Sequence, residues 1–274
     1  MDDSTPVRFA LVGPGRAGRA VAARLVAVGS CCTAVAGRNP TSASAADAAR
    51  RLAAPVTDVA AAGRDAGLVV VATPDEAIEA AAAALAPGLR PGALVVHLAG
   101  ARGIDALAPL AARRPDVRVG ALHPLQTLTG FDDGHALVGA WAAVDGPPAV
   151  DALARTLGLR PGAVPDAARP AYHAAAVVAS NHLVALLGQV ERLAASAGVP
   201  FDAFAPLVRA SVDHAFAVGP AAALTGPVAR GDVATVARHL DALDADEQRA
   251  YRALADAARR LAGRDEPAWE TVLA

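Results

Sequence analysis

Three groups of residues in this 274-residue chain have the types and spacing for chemistry. The first is Gly13-Pro14-Gly15-Arg16-Ala17-Gly18, directly after the apolar run 7–12 and directly before a helix expected over 19–28. Strand, G-x-G-x-x-G turn and helix in that order form the dinucleotide-binding fingerprint. Gly13 permits the tight turn, Gly15 lets the backbone approach a pyrophosphate, and Gly18 lets the helix close on the strand. The pyrophosphate would meet the unpaired N–H groups and the positive dipole end of that helix. In NAD-binding versions an acidic residue about 20 positions further on bonds the ribose hydroxyls. Here that position holds Arg38, with Asn39, Thr41 and Ser42 as further donors and no carboxylate beside it. A guanidinium matches a phosphate with two parallel hydrogen bonds, so the pattern favours NADP(H) over NAD. The plain alternative is a solvated Arg38 with Ser42 capping the next helix.

The second group lies where strand-like runs end, since ligands bind beyond the carboxyl ends of parallel strands. Thr73 and Pro74 follow the run 68–72 and are expected beside the cofactor; His97 ends the run 94–98 but for one residue; His123-Pro124-Leu125-Gln126-Thr127 follows the run 117–122. Reducing a C=O or C=N bond by hydride requires a proton donor, and histidine titrates near neutrality. His123 is the sharpest candidate, with Gln126 and Thr127 placed to meet a substrate. His97, inside an apolar run, reads as a satisfied core histidine.

The third group is Tyr172-His173-Ala174-Ala175-Ala176-Val177-Val178-Ala179-Ser180-Asn181-His182. On a helix His173 and Ser180 share nearly one face, with Asn181 adjacent. Polar side chains inside an apolar helix cost roughly 1–3 kcal/mol each when unpartnered; a substrate pocket or another helix can supply the partners. Further on, Thr225 and Arg230 flank a helix break, where Arg230 could hold a substrate carboxylate. The plain reading there is a turn with Asp232 capping the next helix, a cap expected in either case.

These groups need a scaffold, and its pattern is legible. Apolar runs at 7–12, 33–36, 68–72, 94–98, 117–122 and 140–144 alternate with Ala-rich helical segments. Continuous apolar runs suit parallel strands covered on both faces. Thr73-Pro74-Asp75-Glu76 reads as a capping box. Beyond a proline-punctuated stretch, 171–197, 201–218, 232–243 and 246–262 read as helices, with an N-cap at Asp244 and a C-cap at Gly263. The expected fold is α/β: a doubly wound, mostly parallel Rossmann sheet over 1–165, followed by an all-α domain over 166–274 for substrate binding and dimerisation.

Composition narrows the function. The net charge of −2 speaks against nucleic acid or an anionic membrane as partner. The only two cysteines, Cys31 and Cys32, are adjacent, so they frame neither disulfides nor a metal site and read as small buried residues of the second strand. The segment 174–187, interrupted by Ser180, Asn181 and His182, reads as a buried helix rather than a membrane span. The start lacks a signal-peptide pattern, so a cytoplasmic protein is expected. All 25 basic residues are arginine, which excludes Schiff-base chemistry, a lysine acid and a P-loop lysine.

The glycine-rich start, His-Pro-Leu-Gln-Thr at 123–127, Tyr-His-Ala-Ala-Ala-Val-Val-Ala-Ser-Asn at 172–181 and Leu-Thr-Gly-Pro-Val-Ala-Arg-Gly-Asp at 224–232 occur in one order. Together they resemble the Rossmann-like reductases with a C-terminal helical domain of unknown function, more distantly related to ketopantoate reductase, pyrroline-5-carboxylate reductase and prephenate dehydrogenase. The resemblance spans nearly the whole chain. It implies a helical domain that builds a homodimer and closes the cleft; some such proteins are labelled deazaflavin-dependent oxidoreductases and others alternative ketopantoate reductases. The familiar ketopantoate reductases use a helix lysine with an asparagine. This chain has Asn181 but no lysine; if it reduces ketopantoate another group must supply the proton, and His123 or His173 is the natural replacement, with Ser180 and Asn181 orienting the reacting group. The leading expectation is an NADPH-dependent reductase of a small carboxylate bearing C=O or C=N, with 2-dehydropantoate as first substrate to try. A pyrroline- or imine-type reductase and a non-catalytic NADP(H)-binding regulator are the rivals.

Overall fold

The computed structural model describes residues 7–274. Among the described residues eight strands form one sheet: β1 (Arg8–Val12), β2 (Cys31–Ala36), β3 (Val56–Thr57), β4 (Leu68–Val71), β5 (Leu94–His97), β6 (Arg118–Pro124), β7 (Trp141–Asp145) and β8 (Arg160–Ala163), in the order β3-β2-β1-β4-β5-β6-β7-β8. Only β6–β7 is antiparallel. The chain runs outward from β1 on one side, then returns to start β4 on the other, so the switch point falls between β1 and β4, beyond their carboxyl ends. That is where a doubly wound sheet binds its ligand.

The continuous apolar runs have the reason expected of them. Leu11, Val70 and Leu122 face one layer and Val12, Val71 and Val95 the other, forming two cores on opposite faces of the sheet. Val69, Val70 and Val71 are all at most 1% exposed, and each buried valine contributes roughly 1.5–3 kcal/mol.

Several expectations require correction. β3 is too short for a periodic signal, and β8 lies in the proline-punctuated stretch; Pro161 is tolerated there because β8 is an edge strand. Cys32 is buried, but Cys31, at the strand's first position, is exposed. Thr73 does not form a capping box: the helical turn starts at Asp75 after Pro74 without a side-chain cap, and the Thr73 hydroxyl is buried without a hydrogen-bond partner among the described residues. The Asp232, Asp244 and Ser42 caps form as expected.

Residues 7–180 and 181–274 make two compact units. The second is helical, with a small core of Val228, Val236, Leu240, Ala255 and Trp269. Arg192 and Glu247 form an ion pair, and Gln189 donates to the Glu247 carbonyl at 3.0 Å. The helical segment Asp166–Ser196 is long and apolar enough to cross a membrane by length and composition, yet only 6% of its most apolar window is buried. The expectation of a buried helix at 174–187 is therefore wrong for the single chain. Apolar composition reports that a face needs covering, not what covers it. The helix Ala205–Val218 likewise has no buried residue, and Phe216 on it is 90% exposed.

Candidate active site

The turn after β1 is built around glycine. The Gly13 N–H donates to the Ala36 carbonyl at 2.8 Å, at φ +87°, and a side chain there would put its Cβ 2.7 Å from the Ala72 backbone. A Cβ on Gly18 would lie 2.7 Å from the Gly13 carbonyl oxygen, so α1 (Arg16–Ala27) can sit this close only with glycine there. Gly15 differs. It is the N-cap of α1, in extended conformation and with no side-chain cap, and a Cβ would meet only the Ala72 oxygen at 4.0 Å. The space beside Gly15 is thus an open cradle facing the first-turn N–H groups of Arg16, Ala17 and Gly18, which have no intrahelical acceptor. This fits a dinucleotide pyrophosphate.

Arg19 holds the cradle in shape. Its Nε donates to the Pro14 carbonyl at 2.9 Å, its Nη2 to Ser44 Oγ at 3.1 Å, and its Nη1 lies 3.3 Å from Asp47. Ser44 donates to the same Pro14 carbonyl at 3.1 Å, tying the turn to α2 (Ala43–Arg51). Sequence reading missed Arg19, Ser44 and Asp47. Only the position of Arg19 directly after the motif could have drawn attention to them.

At the end of β2, Arg38 is exposed. Asn39 Oδ1 accepts from the Thr41 N–H at 3.0 Å and hydroxyl at 2.7 Å, and Ser42 Oγ accepts from the Ala45 N–H at 3.2 Å. The acceptors here are spent on a turn and a cap, which leaves donor groups toward solvent. Such a surface suits a phosphate.

The second cluster lies at β5, β6 and the helix Arg169–Val177. His97 is fully buried; it accepts from the Ala99 N–H at 3.2 Å through Nδ1, so its Nε2 donates to the Gly103 carbonyl at 2.8 Å. Both nitrogens are satisfied, as expected of a core histidine. His123, next to last in β6, places Nδ1 2.8 Å from the Tyr172 hydroxyl, with the rings edge-to-face at 5.5 Å. The His173 ring stands 5.8 Å from that of His123, and Trp141 packs on Tyr172 at 5.7 Å. Gly100 allows this convergence: a Cβ there would lie 2.7 Å from His173 Nδ1 and 2.8 Å from His123 Nε2. His173 Nδ1 is buried with no hydrogen-bond partner among the described residues.

Burial, then the neighbouring His173, Arg169 and His97, push the His123 pKa down to about 4. Burial pushes the Tyr172 phenol up to about 12, against a smaller opposing pull from Arg169. His123 is therefore a neutral imidazole at physiological pH. Tyr172, quoted in the sequence cluster but given no role there, is its direct partner.

Helix Arg169–Val177 does not continue regularly to 197. It passes into a π-helical turn, Val178–His182, before resuming at Leu183–Ser196. Ser180 donates to the Ala176 carbonyl at 2.7 Å, a back-bond that bends helices. Ser180 and Asn181 both sit on this turn, a feature frequent at functional sites. Gln126 is bound to its own loop, donating to the Ala136 carbonyl at 3.2 Å and accepting from the Thr127 N–H at 2.8 Å. In the helical unit, Thr225 N-caps a short helix that ends at Arg230, both exposed, and Arg264 donates to the Ala229 carbonyl at 2.8 Å to hold the segment.

Sheet order and glycine turn together define a Rossmann-like, dinucleotide-binding class of fold. Residues 3–124 match the Rossmann-like domain and residues 141–258 a domain of unknown function, DUF2520. The chain thus joins a Rossmann-like domain to the C-terminal helical domain that the sequence motifs resembled. It matches no curated protein. Among solved structures it is similar to a candidate NADP oxidoreductase from Bacteroides fragilis (24% identity, TM-score 0.77, covering 93% of this chain and 98% of that one). It is also similar to a Thermotoga maritima protein (22%, 0.65, 93% and 98%). A third is the Aspergillus terreus reductive aminase solved with NADPH and ethyl-5-oxohexanoate (17%, 0.58, 98% and 92%). At these identities the likeness establishes the fold.

Proposed function

We propose that this protein is an NADPH-dependent oxidoreductase that reduces a C=O or C=N bond of a small carboxylate. The observation that carries the reading is the pairing of an open glycine cradle at the switch point with a half-buried His123–Tyr172 couple at the end of β6 in the same sheet. The likeness in fold to oxidoreductases, one of them solved with NADPH, supports it. Gly13, Gly15 and Gly18 would hold the pyrophosphate and Arg38 the 2′-phosphate, with Thr73 and Pro74 beside the nicotinamide end. A dinucleotide bound there supplies the hydride.

The chain's own residues deliver the proton. The Ala143 backbone hydrogen-bonds the Tyr172 oxygen, and the phenol donates to His123 Nδ1, which leaves the ring proton on Nε2. As the substrate oxygen or nitrogen gains negative charge, Nε2 releases its proton to it and Nδ1 takes the phenolic proton. The phenolate left on Tyr172 is reprotonated from solvent. His173 stands beside this path, and Ser180 remains the proposed orienting group.

A panel of 2-oxoacids, 2-dehydropantoate among them, against cyclic imines, read by loss of NADPH absorbance, separates the carbonyl from the imine reading. NADPH binding without turnover on any panel member would favour the regulatory reading. For cofactor choice, Arg38→Asp is expected to weaken NADPH relative to NADH by at least tenfold. An unaltered preference would remove Arg38 from the 2′-phosphate.

The reading includes a homodimer through the helical domain. Helices whose stability rests on packing do not persist with their apolar faces in water, and Phe216, Val184 and Leu207 are 90%, 67% and 63% exposed in the single chain. Light scattering is expected to give twice the 27.3 kDa chain mass. Phe216→Glu is expected to shift the protein toward monomer, and a monomeric parent would contradict this.

A further inference from the structure

Arg169 belongs to no group argued so far. It is 1% exposed, and among the described residues its Nη1 and Nη2 are buried without a hydrogen-bond partner. Nε pairs with Asp166 at 3.1 Å, and Nη2 lies 3.8 Å from Asp145, outside hydrogen-bond range. Asp166 and Asp145 are themselves 63% and 34% exposed, so water shares their charge while the guanidinium has none. This is a desolvated, incompletely neutralised cation. It stands one helical turn before Tyr172 and His173, on the same helix face.

We propose that Arg169 is a positioning residue of the proton-delivering site: its buried cation favours every state in which negative charge appears on Tyr172 or the substrate and opposes positive charge on His123. The proposal rests on the reading of His123 and Tyr172 as the donor couple. Charge arithmetic supports it. Two unit charges in a protein interior of effective dielectric about 20 interact several times more strongly than in water, and Arg169 acts in the same direction on His97, His123 and Tyr172.

The groups facing His123 are Tyr172, His173 and Arg169 from the helix and His97 from β5. Asp145 on β7 and Asp166 before the helix face Arg169. Among the described residues none of the groups facing His123 is an anion, so none of them offsets the cation's effect on the imidazole. The consequence is a donor couple that stays as neutral imidazole plus neutral phenol at working pH and yields a phenolate when the proton leaves. Arg169 touches neither substrate nor cofactor in this account and acts through the couple.

The test is a titration of His123 by NMR in the full-length protein, with His123→Ala used to assign the signal, alongside the pH profile of turnover. In Arg169→Met the imidazole midpoint is expected to rise by a measurable fraction of a unit, the acid limb of the rate profile to move up with it, and turnover to fall at least tenfold with NADPH affinity unchanged. Arg169→Lys, which retains the charge, is expected to stay close to the parent on each measure. Arg169→Gln, whose amide can still bond Asp166, is the second neutral variant should the methionine variant not fold. An unmoved midpoint in a folded neutral variant overturns the proposal. So does failure of both neutral variants to fold while Arg169→Lys folds, since Arg169 would then be a structural clamp. The NMR readout needs no substrate, so the two failures separate. A midpoint that moves with turnover unchanged removes His123 as donor; an unmoved midpoint with turnover lost in His123→Ala removes only Arg169.

Discussion

Replacing His123 with alanine is expected to lower turnover by roughly 10²–10⁴-fold, the contribution of a positioned proton donor, while NADPH affinity stays within twofold of the parent. The reasoning is spatial. His123 sits at the end of β6 and lies 2.8 Å from the Tyr172 hydroxyl through Nδ1, whereas the glycine cradle is formed by β1, α1 and the end of β4. Tyr172→Phe keeps the ring that packs on Trp141 and removes only the hydroxyl, so it is expected to lose at least tenfold with little change in fold. The two losses should not add, because the residues act as one couple. Burial, with His173, Arg169 and His97, holds His123 at about 4, so the parent's rate should not fall as pH drops through 6.5. The same shift links to stability. The unfolded chain takes up a proton near pH 6.5 and the folded one only near 4, so this group contributes about 3 kcal/mol that is present above pH 6.5 and lost as pH falls toward 4. Acid unfolding should therefore be less steep in His123→Ala. A rate unchanged by His123→Ala would remove it from catalysis.

Gly15→Asp is expected to lower NADPH affinity at least a hundredfold while leaving the melting temperature equal to the parent's or slightly higher. Gly15 is an N-cap in extended conformation with open space beside it, and aspartate is among the best N-caps. The substitution thus favours the helix and places a carboxylate where a pyrophosphate would lie. Gly13→Val is the contrasting control: at φ +87° with backbone 2.7 Å from a new Cβ, it should lower stability together with binding. If Gly15→Asp bound NADPH as the parent does, the cradle would not be the phosphate site.

The sequence announced the sheet well because its strands are buried on both faces and read as unbroken apolar runs. It did not announce β3 and β8, a two-residue strand and an edge strand holding Pro161, because neither carries the pattern that a buried strand requires. The glycine turn was legible residue by residue, since each glycine answers a separate steric demand. Arg19, Ser44 and Asp47 were not, because their contacts join α1 to α2 across 25 or more positions. In the catalytic cluster, His123 and His173 were found from residue type and strand-end position. The role of Tyr172 and the burial of Arg169 depend on how a helix lies against β5–β7, which no local pattern encodes. The π-turn at Val178–His182 reads as regular helix from sequence, because the flanking segments are apolar nearly all round and hold no single stripe whose displacement would betray the extra residue.

The most direct test of the central claim, that the turn at Gly13–Gly18 with Arg38 is an NADP(H) site, is a calorimetric titration of the purified protein with NADPH and with NADH. The account predicts one site per chain and at least tenfold tighter binding of NADPH. Binding of neither nucleotide, or tighter binding of NADH, would contradict it.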